Sequence, residues 1–282
     1  MQNKIAIGTV QFGLDYGISN KTGEVSQNEI KKILFAAADL GIDTIDTALA
    51  YGKSQQKLGK EDLSQFQVVS KLLALENIVS DFDTVLNELN LESIYGLMVH
   101  NFEKFKTTTT SFDLFRQLKI ESKVQKVGFS LNSLKELEYL FDRNINFDII
   151  QLPYNLFDTR FEVYFEELKA RGIEVHSRST FLQGLFFLNP TQLNDHLKPL
   201  QSSIYALQDL AFQNEMSISE LALKFVLSNP YISKVVIGLE SESQLRQNLI
   251  GLDSFESFDN LKHDLNKLAS NDEFLVLPMH WK

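Results

Sequence analysis

Strand-like and helix-like runs alternate along almost the whole chain, one pair about every 30 residues, and this repeat restricts the fold more than any other feature of the sequence. Strands separated by helices align in parallel, and eight such units close into a barrel whose strand C-termini all open on one face. The strand-like runs fall at residues 5–9, 42–46, 66–71, 94–100, 125–130, 147–153, 173–178 and 233–238. A polar loop follows the first, and then a helix opens at Ser26. There Ser26 and Glu29 have capping-box spacing, Ile30, Ile33, Leu34 and Ala37 share one apolar face, and Gly41 supplies the stop. Further helices are expected at 54–60, 81–90, 111–121, from Ser133 with Glu136 three residues on, and at 160–171 with Gly172 as stop. The last are expected at 202–214, 219–227, 243–249 and 257–268, before a tail over 274–282.

The fold class is therefore α/β, a single (β/α)8 TIM barrel over 1–282 with extra helices near the C-terminus. The rival is a doubly wound open sheet. Its Gly-rich fingerprint is missing, because Gly8, Gly13 and Gly17 do not fit G-x-G-x-x-G and no helix is expected after the first strand. No linker-like segment divides the chain, and the threonines at 107–110 read as a solvated loop or a cap.

With a formal charge of −10 and no basic cluster, the surface repels phosphate backbones, so nucleic-acid binding is disfavoured. Cysteine is absent, which removes disulfides, thiolate chemistry and cysteine metal sites. A strand begins near residue 4 with no apolar leader before it, and nothing approaches the length of a membrane span. A soluble, cytoplasmic protein is the expectation, with oligomeric state left open.

Asp46, Tyr51, Lys71 and His100 each stand at or just past the C-terminal end of a strand-like run. A barrel would bring these four to one mouth, and a carboxylate, a phenol, an ammonium and an imidazole are the parts of a proton-transfer site. Singly, each has a structural explanation, such as an ion pair between Lys71 and Asp46. Jointly they carry more. The segment GIDTIDTALAYG at 41–52 resembles the G-x-x-x-x-D-T-A-x-x-Y-G signature of the aldo-keto reductase family. VSK at 69–71 and LMVH at 97–100 fall where that family places its lysine and histidine.

The resemblance implies an NADP- or NAD-dependent oxidoreductase that reduces an aldehyde or ketone, sugars and their derivatives among them, to an alcohol. Free tyrosine holds its proton up to about pH 10, and an adjacent ammonium favours the phenolate. Tyr51 would thus be the general acid, Lys71 its activator, Asp46 the holder of Lys71, and His100 a second donor to the carbonyl oxygen. The resemblance also implies the cofactor residues. Gly8 and Thr9, with Asp46 beside them, lie near the nicotinamide ribose, and Ser130, Asn132 and Gln151 grip the carboxamide. Arg178 stacks on the nicotinamide in place of an aromatic residue, or else binds an acidic substrate or a cofactor phosphate. Gly238 and Ser241 precede a helix N-terminus suited to an anion, with Gln244 and Asn248 reaching the adenine. Glu240 stands where the family often has a cation for the 2′-phosphate; NADP is the family default, and Glu240 opens NAD use. No metal is implied, and the partner is a small carbonyl compound. Two other readings are a cofactor-binding regulatory subunit of the same fold and a lyase with Lys71 as Schiff-base amine.

Overall fold

The computed structural model describes residues 2–73, 75–270 and 272–281. Lys282, the end of the expected tail, lies outside the described residues. Eight strands, β1 Ile5–Gly8, β2 Thr44–Asp46, β3 Gln67–Leu72, β4 Ile94–Val99, β5 Val124–Ser130, β6 Ile149–Pro153, β7 Glu174–Arg178 and β8 Lys234–Gly238, form a closed barrel. Every neighbouring pair is parallel, including β8 with β1. The (β/α)8 expectation is met. The register sets Gly8 between Asp46 and Gly238, and Ser130 beside Gln151, so the rim carries side chains from most of the strands.

Strand alternation splits the core in two. Val69, Met98 and Ile149 cluster inside the barrel, whereas Val68, Leu97, Val99 and Ile150 join the layer between sheet and helices. Glycine makes the interior fit: a Cβ on Gly128 would lie 1.7 Å from the Ile149 carbonyl oxygen. Outside, Phe129 of β5 stacks on Phe112 with ring centroids 4.5 Å apart and meets Phe105 edge-on at 4.9 Å. Truncating such a ring costs about 3–5 kcal/mol.

The main helices are Gln27–Asp39, Ser54–Leu58, Ile78–Leu89, Phe112–Ile120, Leu134–Asp142, Phe165–Ala170, Gln201–Gln213, Ile218–Leu227 and Glu242–Leu249. Several local expectations are corrected. A four-residue helix, Val10–Gly13, starts directly after β1, where none was expected. Another, Phe102–Thr107, follows β4, because Asn101 caps it and Phe102 and Phe105 are buried beneath it. The helix expected at 160–171 enters through a 3-10 segment, Arg160–Tyr164. The one expected at 257–268 is two short helices, Glu256–Asp259 and Lys262–Asn266, with the Leu261 N–H turned back to the Phe258 carbonyl in a three-residue turn. At Ser26 only half of the capping box forms: the Ser26 hydroxyl accepts from the Glu29 N–H, but the Glu29 carboxylate accepts from the Glu242 N–H at 2.9 Å. The box at Ser133 and Glu136 is complete. No helix among the described residues is long and apolar enough to cross a membrane.

Candidate active site

Asp46 ends β2 and is buried at the C-terminal rim. Both carboxylate oxygens are occupied, Oδ1 by Lys71 Nζ at 2.6 Å and Oδ2 by Gln151 Nε2 at 2.7 Å. Its backbone carbonyl accepts from the Thr9 N–H and from Thr9 Oγ1, each at 3.0 Å. Lys71, on β3, has no exposed surface and also donates to the Thr47 carbonyl at 3.1 Å. Burial by itself would lower the pKa of this amine. The Asp46 carboxylate and the nearby Tyr51 phenol outweigh burial and raise it, so Lys71 remains an ammonium. That ammonium lies 5.3 Å from the centroid of the Tyr51 ring.

Tyr51 sits in the turn between β2 and the helix Ser54–Leu58. Two glycines allow the turn. Gly52 has φ +56°, and a Cβ there would fall 2.4 Å from the Gly13 carbonyl oxygen; a Cβ on Gly13 would fall 2.0 Å from the Tyr51 carbonyl oxygen. The short helix after β1 and the turn after β2 are therefore in backbone contact at the tyrosine. His100 follows β4, with its ring edge-on to Tyr51 at a centroid distance of 5.7 Å. Burial, then the charges of Lys71 and Arg178, push the His100 imidazole down to about 3. It is neutral at physiological pH, and its Nδ1 is buried without a hydrogen-bond partner.

A cleft open to solvent runs past Asp46 and Tyr51, whereas Lys71 and His100 stand outside its lining. Gly8, Thr9, Asp46, Tyr51, Gln151 and Arg178 line one part, and Gly238, Glu240 and Gln244 the other. Gln11, which the sequence reading did not single out, also lines it and keeps a buried, unpaired Oε1. A Cβ on Gly238 would lie 2.6 Å from Gln11 Nε2. Its only sequence signal was its place two residues after the Gly8-Thr9 turn, on the helix that was not foreseen.

Ser130, Asn132, Ser241 and Asn248 stand outside the lining of the cleft. Ser130 is buried beside Gln151. Asn132 Oδ1 accepts from Arg178 Nη2 at 2.5 Å. Ser241 caps the helix Glu242–Leu249, accepting from the Gln244 N–H at 3.1 Å, while Gln244 Oε1 accepts from the Glu240 N–H at 2.7 Å. With Glu29 on the Glu242 N–H, protein groups hold the Glu240, Glu242 and Gln244 donors at this helix end. Asn248 is buried on the last turn of the helix.

Glu240 is half-buried and accepts from Thr22 Oγ1 at 3.4 Å. Burial raises its pKa, Thr22 opposes that rise and Asp15 adds to it. His176, assigned no role from the sequence, is fully buried with Nε2 at 2.6 Å from Glu174 Oε1. Among the described residues, no group of three His, Asp or Glu side chains is arranged to hold a metal ion.

The cleft, lined by Gly8 and Gly238 and by the amide side chains of Gln11, Gln151 and Gln244, offers donors and acceptors suited to a nicotinamide cofactor. Gln151 keeps its carbonyl oxygen, which suits a carboxamide, and Gln11 adds an unpaired acceptor.

Comparison with known proteins points the same way. The profile of the aldo/keto reductase family matches residues 4–260. L-galactose dehydrogenase of Arabidopsis thaliana is 24% identical over 277 residues, covering 90% of this chain and 86% of the relative. The uncharacterized oxidoreductase YqkF of Bacillus subtilis (strain 168) is 22% identical over 278 residues, covering 87% and 90%. Among solved structures, the holo form of aldo-keto reductase AKR11C1 from Bacillus halodurans superposes with a TM-score of 0.78 at 18% identity, covering 99% of this chain and 95% of that one.

Proposed function

The chain belongs to the aldo/keto reductase family, and on that premise we propose that it reduces an aldehyde or ketone to an alcohol with Tyr51 as general acid and NADH as preferred cofactor. That it is an NAD(P)-dependent oxidoreductase follows from the family and from its oxidoreductase relatives. The observation that carries the finer reading is the Asp46–Lys71–Tyr51 array, with Lys71 buried, paired with Asp46 and beside the phenol.

When bound, the reduced nicotinamide supplies the hydride. As the carbonyl carbon accepts it, negative charge grows on the oxygen, and the Tyr51 hydroxyl gives that oxygen its proton. The Lys71 ammonium stabilises the phenolate left behind, and Asp46 holds the ammonium in place against the rim. Neutral His100 has one N–H to offer. Carried on Nε2, that proton would support the same oxygen. In alcohol oxidation the roles reverse and Tyr51 takes the proton. Gly8, Thr9, Gln11, Gln151, Gly238 and Gln244 would hold the cofactor along the cleft, with Ser130 and Asn132 beside its carboxamide.

A Schiff-base role for Lys71 is disfavoured, since that chemistry needs a neutral amine and this one is held charged. The relative named L-galactose dehydrogenase supports a sugar or sugar derivative as substrate.

NADH preference rests on charge. Among the described residues no Lys or Arg lines the Glu240 end of the cleft, and Glu240 and Asp15 would both repel a 2′-phosphate. Fluorescence titration should give saturable binding of NADH, tighter than NADPH. Glu240→Arg should shift the NADPH-to-NADH ratio of kcat/KM towards NADPH, by on the order of tenfold at low salt and less at high salt. No saturable binding of either nucleotide would sink the cofactor claim. Binding without turnover of any carbonyl would leave a cofactor-binding subunit, and an unchanged ratio would remove Glu240 from the ribose.

A further inference from the structure

A guanidinium taken out of water needs an anion or a full set of acceptors. The chain has six arginines. Arg116, Arg160, Arg171 and Arg246 pair with carboxylates, and Arg143 lies over the Tyr139 ring, 3.7 Å from its centroid. Among the described residues Arg178 has neither, although it is half-buried and is the one cation lining the cleft. Its three partners are neutral: the Leu131 carbonyl at 3.0 Å, Asn132 Oδ1 at 2.5 Å and Ser179 Oγ at 3.2 Å. Three of its five N–H donors are thus engaged, and two are left.

The backbone after it is also held at a price in strain. Ser179 at φ +63°, Leu182 at +46° and Gln183 at +55° are left-handed without being glycine, at about 1–3 kcal/mol each. The loop after β1 fixes them: Gln183 Nε2 donates to the Tyr16 hydroxyl at 2.6 Å, and the Ile18 N–H donates to the Gln183 carbonyl at 3.1 Å. Strain kept in this way at a cleft is a mark of a positioned group. Arg178 is near enough to the proton-transfer site for its charge to bear on His100.

We propose that Arg178 receives a carboxylate of the substrate, so that the preferred substrates are carbonyl compounds that are also acids, such as an oxo acid or an acidic sugar. This rests on the reductase reading for the carbonyl half alone. A substrate carboxylate at a free N–H of Arg178, with the carbonyl oxygen of the same molecule at Tyr51, would give this guanidinium the anion that four of the other arginines already have.

The test compares succinic semialdehyde with butanal, which share a carbon count and differ in charge, in wild type, Arg178→Gln and Arg178→Lys. Wild type should favour the acid in kcat/KM, and added salt should reduce the preference. Arg178→Gln should cut the acid-to-neutral ratio by about 10–100-fold, with Arg178→Lys restoring part of it. A wild type that favours butanal, or an unchanged ratio in Arg178→Gln, overturns the proposal. So does a loss of NADH affinity in Arg178→Gln with the substrate ratio intact, which would assign the guanidinium to a cofactor phosphate. Calorimetric binding of glutarate to the NADH-loaded protein separates the two readings. Glutarate binding that Arg178→Gln abolishes supports the carboxylate site even if no carbonyl is reduced; reduction of aldehydes without glutarate binding overturns it and leaves the reductase standing.

Discussion

In the proposed reaction the proton comes from Tyr51, and its neighbours decide whether it can leave. Replacing the tyrosine with phenylalanine removes one oxygen and leaves the Gly13–Gly52 contact and the ring packing on His100 in place. Tyr51→Phe should therefore lower kcat by about 10²–10⁴-fold while the dissociation constant for NADH stays nearly the same. Steady-state kinetics on a nitrobenzaldehyde and a fluorescence titration read the two effects apart, and wild-type turnover in the variant would remove Tyr51 as the acid. Lys71 would not make so clean a probe: breaking a buried ion pair from one side costs about 3–5 kcal/mol of stability. Asp46 differs from its expected part in one respect. It holds Lys71, but its second oxygen is engaged by Gln151, which ties β6 directly to the Asp46–Lys71 pair. Nothing in the spacing of residues 46 and 151 announces that bond, because it depends on β2 and β6 facing one another across the barrel.

At the level of elements, the loops after β1, β2 and β7 form the cleft by touching one another. The Gly13–Gly52 contact joins the first two, and Tyr16 and Ile18 bind Gln183 to join the first to the third. Gly52→Ala tests the first contact. It adds left-handed strain and places a Cβ against the Gly13 carbonyl, whereas Gly23→Ala, at φ +74° with open space around it, adds strain alone. The melting temperature should fall further in Gly52→Ala than in Gly23→Ala, and only Gly52→Ala should also lower kcat. Equal losses would mean that the contact contributes nothing beyond backbone strain. The helix Val10–Gly13 was missed because four residues are too few to show an apolar period. Longer helices such as Gln27–Asp39 show it plainly, and their caps mark the ends.

Across the whole molecule, two partly buried groups tie stability to acidity from opposite ends of the barrel strands. Glu174 opens β7, where burial would raise its carboxyl, but His176 and Lys126 hold it down to about 2. Its contribution is present above the ordinary carboxylate range and is lost as pH falls through that range towards about 2. His100, at the other rim, is pushed down to about 3, so the fold favours its neutral form. That preference leaves stability intact above the ordinary histidine value near 6.5 and erodes it as pH falls from there towards about 3. Melting temperatures measured from pH 7.5 to pH 3 should fall in two stages. His100→Gln should flatten the upper stage, and Glu174→Gln the lower. Parallel curves for all three proteins would show that other groups govern acid stability.

The order of strands and helices and the parallel barrel were legible in the chain, because they depend on local periodicity and on caps. A strand ending in Asp46 or Lys71 must deliver that side chain to the rim once the sheet is parallel and closed. Tertiary structure alone decided which of those groups touch and which stay free. Gln151 on Asp46, Glu29 across the helix end at Glu242, Gln11 in the cleft and Arg178 without a carboxylate join residues far apart in the sequence or depend on where loops fold back. Sequence spacing carries no record of such meetings, since they are set by barrel closure and by the paths of loops that have no period to read.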